Sequence, residues 1–385
     1  MKTLEVYMHI PFCRRKCLYC DFASCAGRED QMEPYASALK REIGMRAKEY
    51  GPAAVSTLYI GGGTPSLMPP ALMADVLECL YDSFAPVADA EITCEANPGT
   101  LTVDFLRTLK RHRVNRLSLG VQARQEKHLT SLGRIHRWDE VEGSVRMIRE
   151  ADFVNLNIDL MFGLPSQTLA DWRESLEAVL AFSPEHVSCY GLILEEGTPL
   201  NELAEKGTLS FPGEGAERAM YGEARRILKK AGLMPYEISN FARKGFACRH
   251  NLGYWQGVPY LGFGVAAHSR MDCDPLKGAY ARFGNVRSLD TYLKSMDVGE
   301  IPVEEYSLIG PREAEFETLM LGLRVLDGVR EDDFLIRHGR SMKEAFGEKI
   351  DTLIQKGLLK YANGSLRLTR WGMDVQNAVL VDLMD

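Results

Sequence analysis

The chain has 385 residues, of which 45% are apolar and 26% are charged. These values are close to globular averages and exclude long disorder, a collagen-like repeat and a small disulfide-bonded scaffold. At roughly 150 residues per domain, the length allows two or three domains, or one large barrel with an appendage. The 46 basic and 53 acidic side chains give a net charge of -7, so no nucleic-acid partner is expected.

The N-terminus carries Glu5 in a strand-like alternation instead of the apolar run of a secretion signal. Segment 52–74 has no charge and could span a bilayer by length, but the glycines at 61–63 and the prolines at 65, 69 and 70 indicate a strand, a loop and a helix start. The nine cysteines are an odd number, and three of them lie within residues 13–20, which favours metal binding in a reducing compartment. We therefore expect a cytoplasmic protein, peripheral at the membrane only through partners.

Six strand-like segments alternate with helical ones before residue 195. Helical spacing is clear at Tyr35, Leu39 and Ile43, for example. The predicted strands are residues 4–11, 57–61, 91–98, 116–122, 155–162 and 186–192. A regular alternation of strand and helix predicts parallel strands joined by crossover helices.

One side of the alternation is polar in four of these strands. Ordinary parallel strands are apolar on both faces, because helices cover both sides of the sheet. The polar members are Glu5, Tyr7, His9, Thr93, Glu95, Asn97, Ser118, Gly120, Gln122, Asn155, Asn157 and Asp159. The pattern predicts an α/β fold in which the sheet curls into a partial open (β/α)6 barrel, with a polar ligand in its lumen.

The character of the sequence changes after about residue 300. Residues 313–326 and 342–356 read as helices, and residues 358–361 and 365–368 as a hairpin closed by Asn363 and Gly364. This order predicts a small C-terminal helical, winged-helix-like domain. Since it has no concentrated basic stripe, we expect packing or partner docking instead of DNA binding. The predicted division is a core barrel over 1–240, a connecting segment over 241–300 and this domain over 301–385.

The strongest chemical signal is a C-x3-C-x2-C array directly after the first predicted strand, formed by Cys13, Cys17 and Cys20. Four thiolates would suggest a closed zinc site or a fully ligated cluster, whereas three suit a [4Fe-4S] cluster with one iron open to another ligand. The basic run 14–16 can offset the negative charge of such a cluster. The alternatives are a zinc site completed by His9 or Cys25, and three unligated thiols.

A second motif, Gly61-Gly62-Gly63-Thr64, follows the second predicted strand. Glycines let the backbone approach a ligand closely, although a glycine-rich turn between strand and helix is also a common structural element. The position of the motif adds weight, because functional residues of parallel barrels lie at the carboxyl ends of the strands. Glu95 and Gln122 end the third and fourth predicted strands, and Asp159 lies in the fifth.

Together these segments resemble a known family. The sequence motifs at residues 7–13, 61–65, 120–122 and 158–165 resemble those of the radical S-adenosylmethionine superfamily, in its oxygen-independent coproporphyrinogen III oxidase-like branch. The resemblance covers nearly the whole chain. Residues 249–255, Arg-His-Asn-Leu-Gly-Tyr-Trp, and residues 261–269 resemble the heme chaperone subgroup of that branch.

The resemblance implies that the three cysteines ligate the cluster and that the amine and carboxylate of S-adenosylmethionine chelate the fourth iron. The other contacts it implies are Gly63 and Thr64 at the methionyl portion, Glu95 at the ribose hydroxyls, Gln122, Arg134 and Asp159 around the cofactor, and Tyr7 and Tyr19 beside cluster and adenosine. The implied reaction is one-electron cleavage of the cofactor to methionine and a 5′-deoxyadenosyl radical, which requires an electron donor. The alternatives without a cofactor role are that Glu95 and Asp159 are solvated acids at strand ends, that Arg134 is a surface cation, and that the two tyrosines fill the core.

This sequence differs in two features from the true oxidase of the branch. The true oxidase has a fourth cysteine two residues after the third, and an N-terminal extension; here Asp21 and Phe22 follow Cys20, and the array begins at residue 13. The heme chaperone resemblance implies that His250 ligates heme, although a hydrogen-bonding turn histidine is the alternative. It also implies delivery of heme to respiratory membrane proteins, with cofactor cleavage left open and coproporphyrinogen oxidation not expected. The runner-up function is the oxygen-independent coproporphyrinogen III oxidase, and another radical enzyme, such as an RNA-modifying one, comes third.

Overall fold

The structure is a computed structural model that describes residues 3–274 and 278–384. The strands are β1 (Thr3–Ile10), β2 (Phe12–Cys13), β3 (Cys25–Ala26), β4 (Ala54–Gly62), β5 (Ala85–Ala96), β6 (Arg116–Gln122), β7 (Asn155–Phe162), β8 (His186–Gly191), β9 (Met234–Pro235), β10 (Asn240–Ala242), β11 (Tyr260–Phe263), β12 (His268–Asp274), β13 (Ala279–Asn285), β14 (Val303–Ile309), β15 (Val329–Arg330), β16 (Leu359–Ala362) and β17 (Ser365–Leu368). The helices are α1 (Met32–Tyr50), α2 (Pro70–Ser83), α3 (Val103–Arg111), α4 (Glu126–Ser131), α5 (Trp138–Glu150), α6 (Leu169–Leu180), α7 (Pro199–Glu205), α8 (Glu214–Lys230), α9 (Arg249–Gln256), α10 (Leu289–Asp297), α11 (Pro311–Gly322), α12 (Glu331–His338), α13 (Met342–Gln355), α14 (Arg370–Asp374) and α15 (Gln376–Met384).

Six parallel strands form the centre of the molecule, in the order β1-β4-β5-β6-β7-β8. Helices α1 to α6 lie in the connections between them. This arrangement confirms the predicted α/β fold with consecutive parallel strands. The barrel is open, since within the described residues no ladder joins β8 back to β1.

Both edges of this parallel sheet continue into further strands that the sequence patterns did not reveal. On one side β8 pairs antiparallel with β10, which pairs with β9. On the other side β1 pairs parallel with β11, and β12, β13 and β14 follow in antiparallel order. The strands β9 and β10 are too short to show a period, and β14 is exposed along most of its length. Segment 241–300 therefore contributes strands to the same sheet.

The two sides of the central strands differ as the alternation predicted. On β1 the apolar residues Leu4, Val6, Met8 and Ile10 are buried in the main hydrophobic core. Helix α1 packs onto this core through Tyr35, Leu39 and Ile43. On the polar parity, part of the predicted set lines the cavity described below: Glu95, Asn97, Ser118, Gly120, Gln122 and Asp159.

The C-terminal helices have a hydrophobic core of their own, which includes Leu319, Phe334 and Ile350. A small sheet in the order β15-β17-β16 completes this region. Asn363 and Gly364 have φ values of 54° and 73°, the left-handed pair that a two-residue hairpin turn requires. The predicted helices and hairpin are confirmed, whereas α12, α14 and α15 were missed because each is short.

The uncharged segment 52–74 forms β4, a 3-10 turn at Pro65–Leu67 and the beginning of α2, as its glycines and prolines predicted. Within the described ranges, none of the helices combines the length and the apolar character that a bilayer crossing requires.

A buried carboxyl group joins α1 to the strands beyond β11. Glu42 is fully buried and accepts hydrogen bonds from the backbone N–H of Gly264 at 2.8 Å, from Asn285 at 2.6 Å and from the Tyr292 hydroxyl at 2.6 Å. Burial raises the pKa of Glu42, while these donors lower it. Because the donors come from three separate segments, this one side chain ties the helix, the sheet and α10 together.

Replacing Glu42 with Ala should lower the free energy of unfolding by about 3 kcal/mol, because several buried donors lose their acceptor. Urea denaturation followed by circular dichroism measures the change. Glu33→Ala on the same helix is the control, since Glu33 is exposed and its loss should cost no more than about 0.5 kcal/mol. Equal stability of the two variants would contradict the assigned role of the network.

Candidate cofactor site

A cavity of about 460 Å³ opens at the carboxyl ends of the parallel strands. Functional residues of parallel barrels are expected at this end. The sequence-predicted residues that line it are Cys13, Cys17, Tyr19, Cys20, Gly63, Thr64, Glu95, Gln122, Arg134 and Asp159. Tyr7 and His250 do not line it. Segments far apart in the chain therefore meet at one site, as the strand-end argument predicted.

The cysteine loop, residues 13–20, begins in β2 and is held by backbone hydrogen bonds to distant segments. The N–H of Leu18 donates to the carbonyl of Leu132 at 2.9 Å, and the carbonyl of Leu18 accepts from Leu200 at 2.9 Å. The three cysteines of the array are half-buried. Burial raises the pKa of the Cys13 and Cys20 thiols, so their ionised forms require a cationic partner.

The donor set fits a cluster better than a closed zinc site. Within the described residues, no three His, Cys, Asp or Glu side chains converge on the position of a single ion. Both ring nitrogens of His9 are engaged, by the Tyr7 hydroxyl at 2.9 Å and the Ala23 carbonyl at 2.8 Å. The Cys25 thiol donates to the carbonyl of Pro11. With His9 and Cys25 engaged elsewhere, three thiols remain, which is the number that suits a [4Fe-4S] cluster with one iron open to another ligand.

The glycine motif packs directly against the cysteine loop. Gly62 has a φ of +114°, and a Cβ there would lie 2.7 Å from the His9 ring. A Cβ on Gly63 would lie 2.7 Å from the carbonyl oxygen of Phe12 and 3.0 Å from the Cys13 sulfur. Glycine is therefore required by the close approach of the two loops, a reason that the sequence pattern alone did not supply.

A chain of side-chain hydrogen bonds links the two loops to Arg134. The Thr64 hydroxyl donates to the Cys13 sulfur at 3.6 Å, and Asn97 donates to that hydroxyl at 2.8 Å. Arg134 donates to Asn97 at 2.6 Å and to the Tyr19 hydroxyl at 2.8 Å. The Nε of Arg134 is enclosed and has no hydrogen-bond partner, while other parts of the side chain line the cavity. Asn97 directly follows β5 and continues its polar parity, the signal by which it could have been assigned to the site.

Two carboxyl groups face each other across the cavity. Glu95 accepts hydrogen bonds from the Tyr59 hydroxyl at 2.8 Å and from the N–H of Gly62 at 3.1 Å. Burial raises the pKa of Glu95 to about 7, and the charge of Asp159 raises it as well. Asp159 accepts from Ser118 at 3.0 Å and from Asn157 at 2.8 Å. Both carboxyl groups are thus held in fixed orientations with room for a polar ligand between them.

Tyr7 and Gln122 border the site in different ways. Tyr7 lies behind the cavity wall, where its hydroxyl contacts His9 and its ring stacks on Tyr59 with centroids 6.4 Å apart. Gln122 lines the cavity and has a φ of 69°, next to a register shift between β6 and β7. Such an irregular strand end directs a side chain towards a ligand at a local conformational cost.

The mouth of the cavity carries apolar side chains that the sequence analysis did not identify as site residues. Phe22 is 66% exposed and Ile193 is 68% exposed, and both line the cavity. Met161 and Tyr190 line it as well. Phe22 lies two residues after the last cysteine of the array, and Tyr190 and Ile193 lie at the end of the sixth parallel strand and just beyond it. Their position at strand ends was the available signal.

His250 lies below the cavity and is only 1% exposed. Its Nδ1 is hydrogen-bonded to the Thr57 hydroxyl at 2.7 Å, and its Nε2 is buried without a partner. Burial lowers the pKa of His250 to about 3, so its imidazole is neutral. The Tyr254 ring lies edge-on to it at 4.6 Å. This conformation presents neither side chain to a bulky planar ligand, so exposure does not support the predicted heme ligand.

The structure therefore defines an open parallel barrel with three thiols beside a polar cavity, a class of site that can take a metal cluster and a polar ligand together. The sequence profile of the Radical SAM superfamily matches residues 7–179, and that of the HemN C-terminal domain matches residues 309–375. The solved structure of coproporphyrinogen III oxidase HemN from Escherichia coli aligns with a TM-score of 0.85 at 23% identity, over 99% of this chain and 90% of that chain. That likeness shows the fold.

Relatives that align over most of both chains identify the family within this superfamily. The heme chaperone HemW of Bacillus subtilis is 34% identical over 97% of this chain and 97% of its own. HemW of Synechocystis is 37% identical over 84% of this chain and 78% of its own, and the mouse mitochondrial radical S-adenosyl methionine domain-containing protein 1 is 32% identical over 98% and 87%. The chain belongs to the radical SAM superfamily and, within it, to the family of these HemW relatives. Membership implies a [4Fe-4S] cluster and S-adenosylmethionine.

Glu95 should titrate near neutral pH in the protein without cofactor, because burial and the charge of Asp159 both disfavour its ionised form. Isotope-edited infrared spectroscopy of the carboxyl stretch should show a protonated group that ionises around pH 7 and is absent in Glu95→Gln. Asp159→Asn should lower the midpoint, since it removes a negative neighbour. A titration that Asp159→Asn leaves in place would contradict this electrostatic account.

Proposed function

We propose that this chain is a heme chaperone that binds a [4Fe-4S] cluster, S-adenosylmethionine and heme, and delivers heme to respiratory membrane proteins. The observation that carries the proposal is the 34% identity to a protein named heme chaperone HemW over 97% of both chains. The acceptor proteins and an external electron donor for the cluster follow from the family resemblance, and any membrane contact would be made through these partners.

The residues around the cavity support the cofactor part of the proposal. The proposed cluster ligands are Cys13, Cys17 and Cys20. The proposed cofactor contacts are Gly63 and Thr64 at the methionyl end, Glu95 at the ribose, and Gln122, Arg134, Asp159, Tyr7 and Tyr19 around them. When bound, the cluster supplies an open iron site and a single electron. The chain itself orients the ligand through the Glu95 carboxyl group, which Tyr59 and the N–H of Gly62 hold in place.

The heme part rests on the relatives and on the cavity mouth. An exposed rim that includes Phe22 and Ile193 offers the apolar surface that a large planar ligand requires. His250 as heme ligand stays an untested prediction, and contact with heme would require the His250 side chain to leave its buried position.

Anaerobic reconstitution should give about four irons and four sulfides per chain, because three thiolates suit a cubane with one open iron. Cys17→Ala should abolish the visible absorbance of the cluster. Cys273→Ala is the matched control, since Cys273 is exposed and lies outside the cysteine loop. Zinc retained at one per chain in place of iron would overturn the cluster assignment.

Heme titration tests the chaperone proposal against the oxidase. Wild-type protein should bind heme saturably, with a Soret band, even without its cluster. The reconstituted protein with S-adenosylmethionine and reductant should not convert coproporphyrinogen III to protoporphyrinogen with turnover. Absence of saturable heme binding would refute the chaperone, and turnover of coproporphyrinogen III would establish the oxidase.

The same titration on His250→Ala tests the ligand. Loss of an axial ligand should change the Soret band and weaken heme retention. An unchanged titration would show that His250 does not ligate heme, without affecting the chaperone proposal itself.

A further inference from the structure

Tyr59 separates the cofactor cavity from His250. It lines the cavity on β4, and its hydroxyl donates to Glu95 at 2.8 Å. On the side away from the cavity, the Tyr59 ring stacks on the imidazole ring of His250. The two centroids are 5.2 Å apart and the ring planes are 26° from parallel. Thr57, on the same face of the strand, is hydrogen-bonded to Nδ1 of His250 at 2.7 Å. His250 therefore holds two successive inward side chains of β4.

His250 is itself held firmly from below. One oxygen of the Glu91 carboxyl group accepts the backbone N–H of His250 at 3.1 Å, and the other accepts that of Arg249 at 3.0 Å. Gly253 lies against the carboxyl group of Glu5, where any Cβ would collide, so α9 can sit directly under the barrel. The start of α9 is thus fixed to β5 and β1, with the imidazole inserted between the strands.

We propose that His250 and Tyr59 are positioning residues for S-adenosylmethionine: His250 supports the Tyr59 ring, and Tyr59 orients the Glu95 carboxyl group that receives the ribose hydroxyls. The inference rests on the proposed function, because the ribose contact of Glu95 belongs to it. It gives the His-Asn-x-x-Tyr-Trp segment a role at the cofactor pocket that does not depend on heme binding.

The physical basis is the cost of ordering a flexible carboxyl group. A free glutamate side chain loses rotamer freedom when a ligand fixes it, and this loss of entropy weakens binding. Here Tyr59 and the N–H of Gly62 each engage one oxygen before the ligand arrives, and the remaining lone pairs stay available to the ribose. Without the stacked imidazole, the Tyr59 ring would have space below it and the hydroxyl would lose its fixed position.

The pocket also gives a pH signature that a purely structural role would lack. The titratable and charged groups that face Glu95 are Tyr7 on β1, Tyr59 on β4, Arg116 on β6 and Asp159 on β7. The Tyr59 hydrogen bond lowers the pKa of Glu95, so its loss should raise that pKa. Because the ionised carboxylate is the better acceptor for ribose hydroxyls, the midpoint for cofactor binding should move to higher pH.

The experiment measures S-adenosylmethionine affinity by calorimetry on reconstituted protein across neutral pH. Tyr59→Phe removes one oxygen atom and should weaken binding about tenfold and raise the pH midpoint, since a hydrogen bond to a charged group is lost. His250→Ala should weaken binding in the same direction, but add nothing in the Tyr59→Phe background, because it acts through that hydroxyl. Tyr221→Phe is the matched control: its hydroxyl also donates at 2.8 Å, to the carbonyl of Ile238, outside this chain of contacts.

The outcomes separate the inference from the proposed function. If Glu95→Ala leaves the affinity unchanged, the pocket assignment fails and the inference with it. If Glu95→Ala weakens binding but Tyr59→Phe does not, the inference alone is wrong. Additive effects of the Tyr59 and His250 variants would equally overturn it. If His250→Ala does not fold, His250→Phe replaces it in the experiment, because phenylalanine keeps a ring that can stack on Tyr59. Its affinity for S-adenosylmethionine should be close to that of the wild type.

Discussion

The structure depends on how the polar face of a buried parallel sheet is satisfied. Polar side chains in a protein interior are costly unless they are hydrogen-bonded. In the lumen this is achieved by local chains of contacts, such as Asn157, which donates to Ser118 and accepts from Ser188. Buried polar side chains at every second position of four strands are therefore tolerated because neighbouring strands supply their hydrogen-bond partners.

The two ends of the barrel meet this requirement differently. At the carboxyl ends, Glu95, Arg134 and Asp159 keep polar atoms directed into a cavity. At the opposite end, α9 closes the lumen and brings its own polar groups, including His250, into contact with Thr57 and Glu91. The upper end is thus suited to binding a polar ligand, and the lower end to holding the walls of that site in place.

The cavity mouth adds a third kind of surface. Exposed apolar groups at Phe22 and Ile193 lie beside the polar pocket. A site that combines fixed charges with an apolar rim can bring a nucleoside cofactor and a large planar ligand close together. This proximity is the structural link between the two halves of the proposed function.

The sequence by itself determined the elements whose signals are local. The cysteine spacing, the glycine run and the period-two strands predicted the open barrel of parallel strands and several of the residues that line its cavity, because each signal depends on neighbours in the chain. The tertiary structure decided what depends on contacts between distant segments. Thr57 and His250 are 193 positions apart, and only folding shows that they touch and that the imidazole is enclosed instead of offered to a ligand. The roles of Tyr59 and Asn97 were hidden for the same reason, since a hydrogen-bonding side chain acquires its function from the partner that the fold brings to it.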